Sequence, residues 1–324
     1  MFVPETWERQ QRAAGTRDLI IRIVDIFVFA GLLVGAAILA IMAWSRRQYT
    51  PRLFVLAAAL MLLVAAARSL NNYPIALAQL VTEAPLQLQV LGLIGFGLIG
   101  LTISAVLVGL VLGAAPQRLS SSGALPDTDA LRLGIAVGIF GAAVSAGAGA
   151  LRSPAWAQAP DVSAAGAVIP LLQSALAPMT QVLMASAILL PTMMTVDQWT
   201  SGWTRRRVAG GAMLAILGFA AAGVPEGVHF GGWAVAVLAL AVGLITAYAT
   251  VLRFDLTMVP IALGTMIAIG AIFRAAERPY PGAVFGIAIG AALALLLGWW
   301  WFKALRRARA NIGEPVSAVS YQVS

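Results

Sequence analysis

Two pairs of ionisable residues in this chain have a spacing that suits chemistry. Glu226 and His229 lie three residues apart in Pro225-Glu226-Gly227-Val228-His229. A carboxylate beside an imidazole can act as general acid and base. The plainer reading of the pair is a polar loop at a membrane interface. Arg22 and Asp25 are also three apart, near the start of an apolar run. On a helix that spacing puts them on one face, where they can pair. Ionisable groups within a membrane span are functional candidates by default. These two sit near the end of the run, within reach of headgroups, which favours a structural pair.

His229 is the single histidine and the chain has no cysteine. Composition therefore excludes disulfides, thiolate metal sites and multi-histidine chemistry. A metal held by Glu226 and His229 would need a further ligand, and none is apparent beside them. Asp197 and Asp255 flank apolar runs, and the expectation is that they are solvated or paired with Arg205–Arg207 and Arg253. There is no Walker loop, HExxH, GxSxG or dinucleotide fingerprint. No catalytic, cofactor-binding or metal-binding residue is assigned, with Glu226 and His229 kept as the catalytic alternative.

The elements that must position these residues are long apolar runs. The chain is 60% hydrophobic and 10% charged over 324 residues, with mean hydropathy +0.90. Leu98–Ala115, Leu133–Leu151, Trp233–Leu252, Leu256–Phe273 and Gly282–Phe302 contain no charged residue. Runs of about 18 or more such residues can cross a bilayer core as helices. The expected fold is all-α, a polytopic transmembrane helix bundle of about nine spans. These are placed near 20–44, 53–68, 89–115, 132–151, 176–197, 208–224, 232–252, 256–274 and 282–303, the second and sixth being short. Residues 75–88 and 163–176, broken by Pro85 and Pro170, are expected at or dipping into the membrane surface. The organisation read from the sequence is a polar juxtamembrane segment (1–18), a transmembrane domain (19–303) and a cytoplasmic tail (304–324). The polar residues before the first apolar run argue against a secretory signal.

Nine spans place thirteen of the 21 basic residues on one side: Arg46, Arg47, Arg52, Arg118, Arg132, Arg205–Arg207, Arg253, Lys303, Arg306, Arg307 and Arg309. The positive-inside rule then puts the C-terminus in the cytoplasm and the N-terminus outside a bacterial-type inner membrane. Arg9, Arg12, Arg17 and Arg22 argue the other way. The net charge of +8 is read as attraction to anionic lipid, not to nucleic acid.

Small residues recur along several runs. Gly134, Gly138 and Ala142 form one stripe, and Gly282, Gly286 and Gly290 another. Gly92, Gly95, Gly97, Gly100, Gly109 and Gly113 crowd the third span. Such stripes let helix backbones approach closely in lipid. They imply packing within the chain or docking of another membrane protein. Trp299, Trp300, Trp301 and Lys303 close the last run as an interfacial anchor, a role also expected of Trp44, Trp199, Trp203 and Trp233.

Residues 175–274 resemble the core of the CPBP (Abi/CAAX-type) glutamic intramembrane peptidases. Arg205-Arg206-Arg207 resembles that family's arginine-rich turn, and His229 falls at the histidine of FxxxH. Gly243–Tyr248 resembles its glycine-to-tyrosine stretch, and Val259-Pro260-Ile261 the segment before HxxxN. The family's glutamate pair is replaced by Leu190–Asp197 with no glutamate, the phenylalanine of FxxxH by Pro225, and the HxxxN positions by Gly264 and Ala268. The resemblance implies a helical fold whose proteolytic site has been lost. The functional expectation is a non-catalytic membrane scaffold or accessory subunit, bound by lipids and by another membrane protein. The alternatives are a divergent intramembrane peptidase and a small-solute or lipid transporter.

Overall fold

The computed structural model describes residues 5–46, 49–80, 85–119, 125–152, 164–223, 230–278 and 280–313. All regular structure among them is helical: α1 (Glu5–Ser45), α2 (Pro51–Asn71), α3 (Tyr73–Ala78), α4 (Leu86–Arg118), α5 (Asp127–Arg152), α6 (Pro170–Thr200), α7 (Arg207–Ala222), α8 (Phe230–Thr250), α9 (Val259–Phe273) and α10 (Ala283–Gly313). Among the described residues eight helices are long and apolar enough to cross a membrane, and α7 is a shorter apolar helix of 16 residues. The chain is a multi-pass helical bundle of the integral-membrane type.

Contacts between helix ends fix the alternation of direction. At one end, the residue before α2 bonds to the end of α4 (Thr50 N–H to Gly113 O, 3.0 Å). At that same end Tyr248 of α8 reaches Asp197 of α6. At the other end, Asn71 of α2 meets Ile169 before α6, and Ser174 of α6 meets Tyr280 before α10. α7 starts beside the end of α6, where Gly210 abuts Thr200, and finishes at Gly223, whose carbonyl accepts from Trp233 Nε1 (2.7 Å). It therefore crosses the bundle although 16 residues rise only about 24 Å. Gly218 lies against the Ala241 backbone of α8, which lets the two helices run close together.

Several boundaries differ from those read in the sequence. The polar segment before residue 19 continues into α1 from Glu5, and α10 continues to Gly313, ten residues past the expected end. Residues 170–176 are not a surface segment. Pro170 opens α6 at a position where a missing N–H costs nothing. Pro178 and Pro191 lie inside α6 without ending it, as membrane helices tolerate.

The core centres on α6 and α9. Leu190, Met193 and Val196 of α6 and Val259 of α9 are fully buried. Residues 259–265 are all buried, as expected of a helix apolar on every side. Four helices form a ladder with glycine at each contact. A Cβ at Gly138 of α5 would lie 2.5 Å from Ala262 O of α9, and one at Gly134 2.5 Å from the Ile261 side chain. Gly264 of α9 and Gly298 of α10 face each other, each 2.7 Å by the same measure from a carbonyl of the opposing helix. Gly286 and Gly290 set α10 against the Leu171 and Ser174 carbonyls of α6 at 2.7 and 2.8 Å. Ala142 is buried, while Gly282 precedes α10 with φ +79°.

α1 and the first half of α4 are packed differently. None of residues 86–104 is buried, and burial begins at Ala105. A Cβ at Gly95, Gly97 or Gly100 would meet nothing within 4 Å, and one at Gly92 would meet only Phe96 of its own helix. Gly31 and Gly35 of α1 are equally open. α1 joins the bundle through Ala36, Ala40 and Ala43.

Candidate functional site

The densest polar cluster is built on Asp255, between α8 and α9. Two short 3-10 turns, Leu252–Phe254 and Leu256–Met258, turn the chain there. Asp255 is extended, and its Oδ1 accepts from Thr257 N–H (3.0 Å) and Thr257 Oγ1–H (2.7 Å). That local Asx-type turn is the usual reason for aspartate before a helix. The side chain is completely buried. A buried carboxylate must be paired, because desolvating an unpaired charge is far too costly.

The partners come from α10. Arg306 Nη1 donates to Asp255 Oδ2 (3.3 Å), and Arg309 Nη1 lies 3.7 Å from Oδ1. The remaining donors of Arg306 are also engaged: Nε pairs with Asp127 Oδ1 at 2.8 Å and Nη2 donates to the Leu125 carbonyl. Leu125 N–H donates in turn to Asp255 Oδ2 (3.4 Å). One aspartate and one arginine thus tie the start of α5, the α8–α9 turn and the end of α10. The expected pairing of Asp255 with Arg253 is not made. Arg253 lies instead over the Phe254 ring, 4.6 Å from its centroid.

A second latch lies at the same end. Tyr248 of α8 is fully buried and donates to Asp197 Oδ1 (2.9 Å), with Trp203 packed edge-on against its ring. Asp197 is therefore bonded to a tyrosine where the sequence suggested solvent or Arg205–Arg207. Thr200 holds the following turn: its Oγ1 accepts from Trp203 N–H and its carbonyl from Thr204 and Arg205 N–H. These bonds support positive φ at Ser201, Trp203 and Arg206. Arg207 closes the turn with Nε donating to Trp203 O (2.7 Å).

The opposite end is joined by neutral groups. Asn71 donates from Nδ2 to Ile169 O (3.0 Å) and accepts Ile169 N–H on Oδ1 (2.8 Å), closing a two-bond clamp. Ser174 Oγ and Tyr280 Oη lie 2.7 Å apart.

The other sequence-selected residues separate. Arg22 is exposed on α1 and makes no ion pair with Asp25, whose Oδ1 is buried without a hydrogen-bond partner. An arginine three residues before its acid is the weaker order for a helical pair, and a long cationic chain can turn outward instead. The tryptophans of α10 divide by helical phase. Trp299 is 41% exposed with Lys303 Nζ 4.3 Å from its ring centroid, whereas Trp301 is 2% exposed, inside the core with Phe302. Trp301 is thus no interfacial anchor, because Ala294, Gly298, Trp301 and Leu305 form the inward face of α10. Trp233 is buried too, while Trp44 and Trp199 are exposed. Glu226 and His229 lie outside the described residues. Among the described residues no three acids or histidines lie close enough together to share a metal ion.

Chemically, the Asp255 cluster is a latch. Both carboxylate oxygens are occupied by two N–H groups, a hydroxyl and two guanidinium groups, which leaves no lone pair directed at a substrate. Of the positions compared with the CPBP family, Arg205 and Arg206 lie in the α6–α7 turn and Arg207 opens α7, Gly243–Tyr248 lie on α8, and Gly264 and Ala268 on α9. Compared with protein-family models, curated proteins and solved structures, the chain matches none.

Proposed function

We propose that this protein is a non-catalytic scaffold or accessory subunit of a membrane complex, with the outer half of α4 as the face that receives a membrane-spanning partner. One observation carries the reading: among the described residues, a Cβ added at Gly92, Gly95, Gly97 or Gly100 would meet no other helix within 4 Å. Glycine weakens a helix by about 1 kcal/mol relative to alanine. In lipid its return is close backbone approach by another helix. The glycines of α5, α9 and α10 have that return inside the bundle, whereas those of outer α4 have it only if a second chain supplies the helix. The saturated Asp255 latch and the Tyr248–Asp197 bond agree with a structural role. The arginine-rich end is the cytoplasmic end by the positive-inside rule, consistent with a bacterial-type inner membrane, and the CPBP-like elements fit a descent in which peptidase chemistry was lost.

The test uses the full chain, extracted gently from its native membrane. Native mass spectrometry should return a defined hetero-complex. Gly95→Leu with Gly100→Leu should abolish it without lowering the thermal midpoint of the isolated chain, because a Cβ at either position meets nothing within 4 Å and glycine is the poorer helix former. A lone monomer from wild-type membranes overturns the reading.

A further inference from the structure

The last turns of α10 carry a feature that the latch does not use. Lys303, Arg306, Arg307 and Arg309, with Ala310 and Asp127, line an open cleft of about 510 Å³. Lys303, Arg306, Arg307 and Ala310 recur at helical spacing, so they share one side of α10. Within this cleft, charge and engagement are unevenly divided. Arg306 is fully committed, to Asp127, Asp255 and Leu125. Arg309 approaches the far oxygen of the same Asp255. The two acids therefore neutralise the two latch arginines. Lys303 and Arg307 add two further positive charges at the mouth, and neither has an ion-pair partner among the described residues.

We propose that this cleft binds a phosphate group, the headgroup phosphate of an anionic membrane lipid. The mouth offers two uncompensated cations, which suits an anion of charge one to two. Arginine and lysine together supply directional and point-charge donors for phosphate oxygens. The depth selects lipid: Lys303 Nζ rests on the ring of Trp299, an exposed indole at the end of the apolar run. Indoles favour the headgroup zone, so a phosphate at Lys303 has its acyl chains beside the apolar surface of α10. Basic pockets between helices at a membrane face are a recurrent way of holding such headgroups. The site is built: Arg306, held on three sides, forms its floor and fixes the register of Lys303 and Arg307 on the same helix. This inference does not depend on docking at α4.

The experiment is native mass spectrometry of the full chain in detergent, titrated with phosphatidylglycerol or with phosphatidylcholine. Wild type should retain phosphatidylglycerol over phosphatidylcholine. Lys303→Gln with Arg307→Gln should reduce that retention about tenfold, and Asp127→Asn should raise it. Arg52→Gln with Arg205→Gln removes the same charge elsewhere at this end and should change it less than twofold. A parallel titration with millimolar inorganic phosphate distinguishes the source. Phosphate that fails to compete supports the lipid. Phosphate that binds wild type alone and displaces phosphatidylglycerol keeps a phosphate site but overturns the lipid assignment. Equal losses in the two double variants, with unchanged melting temperatures, overturn the cleft as a site.

Discussion

The glycines of α5, α9 and α10 and those of outer α4 look alike as sequence and are placed in opposite surroundings. Gly138 has no room for a methyl group: Ala262 O and Thr265 already occupy the space. A Cβ at Gly95 would meet nothing within 4 Å. A small-residue stripe therefore states that a backbone will come close, without saying whose. In the ladder of α5, α9, α10 and α6 it is the chain's own. At α4 it is, on the proposed reading, that of a membrane-spanning partner. The burial of neighbouring positions separates the two cases: Ala130 and Ala142 of α5 are buried, whereas no residue of 86–104 is.

Substitution at the two kinds of glycine sharpens the contrast most. Gly138→Leu forces a side chain into the α9 backbone, and Gly264→Leu does the same between α9 and α10. Each should abolish the folded monomer in detergent or lower its stability by more than the roughly 1–3 kcal/mol of ordinary overpacking. Gly95→Leu should not lower the unfolding midpoint. Equal midpoints for Gly138→Leu and Gly95→Leu would erase the distinction.

The next largest effect concerns the latch that orders the ladder's basic end. Asp255→Ala leaves Arg306 and Arg309 facing each other without their shared acid. Breaking one partner of a buried pair costs about 3–5 kcal/mol. Unfolding of the variant in detergent should show that loss. Asp127→Asn, at a carboxylate that is 79% exposed, should change stability by well under 1 kcal/mol.

The smallest effect is at the α1–α2 connection. Burial pushes Tyr49, which stacks on Trp44, up to about 12. Its folded value lies above the unfolded one, so the neutral phenol is favoured in the fold. The stability this brings is complete below about pH 10 and is lost as pH rises toward 12. Tyr49→Phe should flatten the fall in stability over that window, followed by alkaline unfolding in detergent.

Much of the fold was legible in the sequence because lipid imposes a simple rule: long uncharged runs become helices. The short sixth run falls on α7. Helix ends were less legible. Pro170 looks like a break, yet at the first turn it is compatible with a helix, and Glu5–Asp18 is polar yet helical. The latch was half legible. Asp255-Leu256-Thr257 carries the local signal of an Asx turn, but Arg306 lies 51 residues away, and nothing local connects them. The burial of Trp301 is hidden in the sequence for a related reason. Three adjacent tryptophans read as one belt, whereas helical phase turns the third of them into the core. Arg22 and Asp25 show that shared spacing permits a pair without compelling one.

The most direct measurement places a photo-crosslinking amino acid at Phe96 and, separately, at Phe285, in native membranes. The two side chains are similarly exposed, 80% and 73%. Phe96 lies among glycines that face open space, and Phe285 beside Gly286, which is already packed on α6. The account predicts a discrete protein adduct from Phe96 and lipid adducts alone from Phe285. Lipid adducts alone from both positions would contradict it.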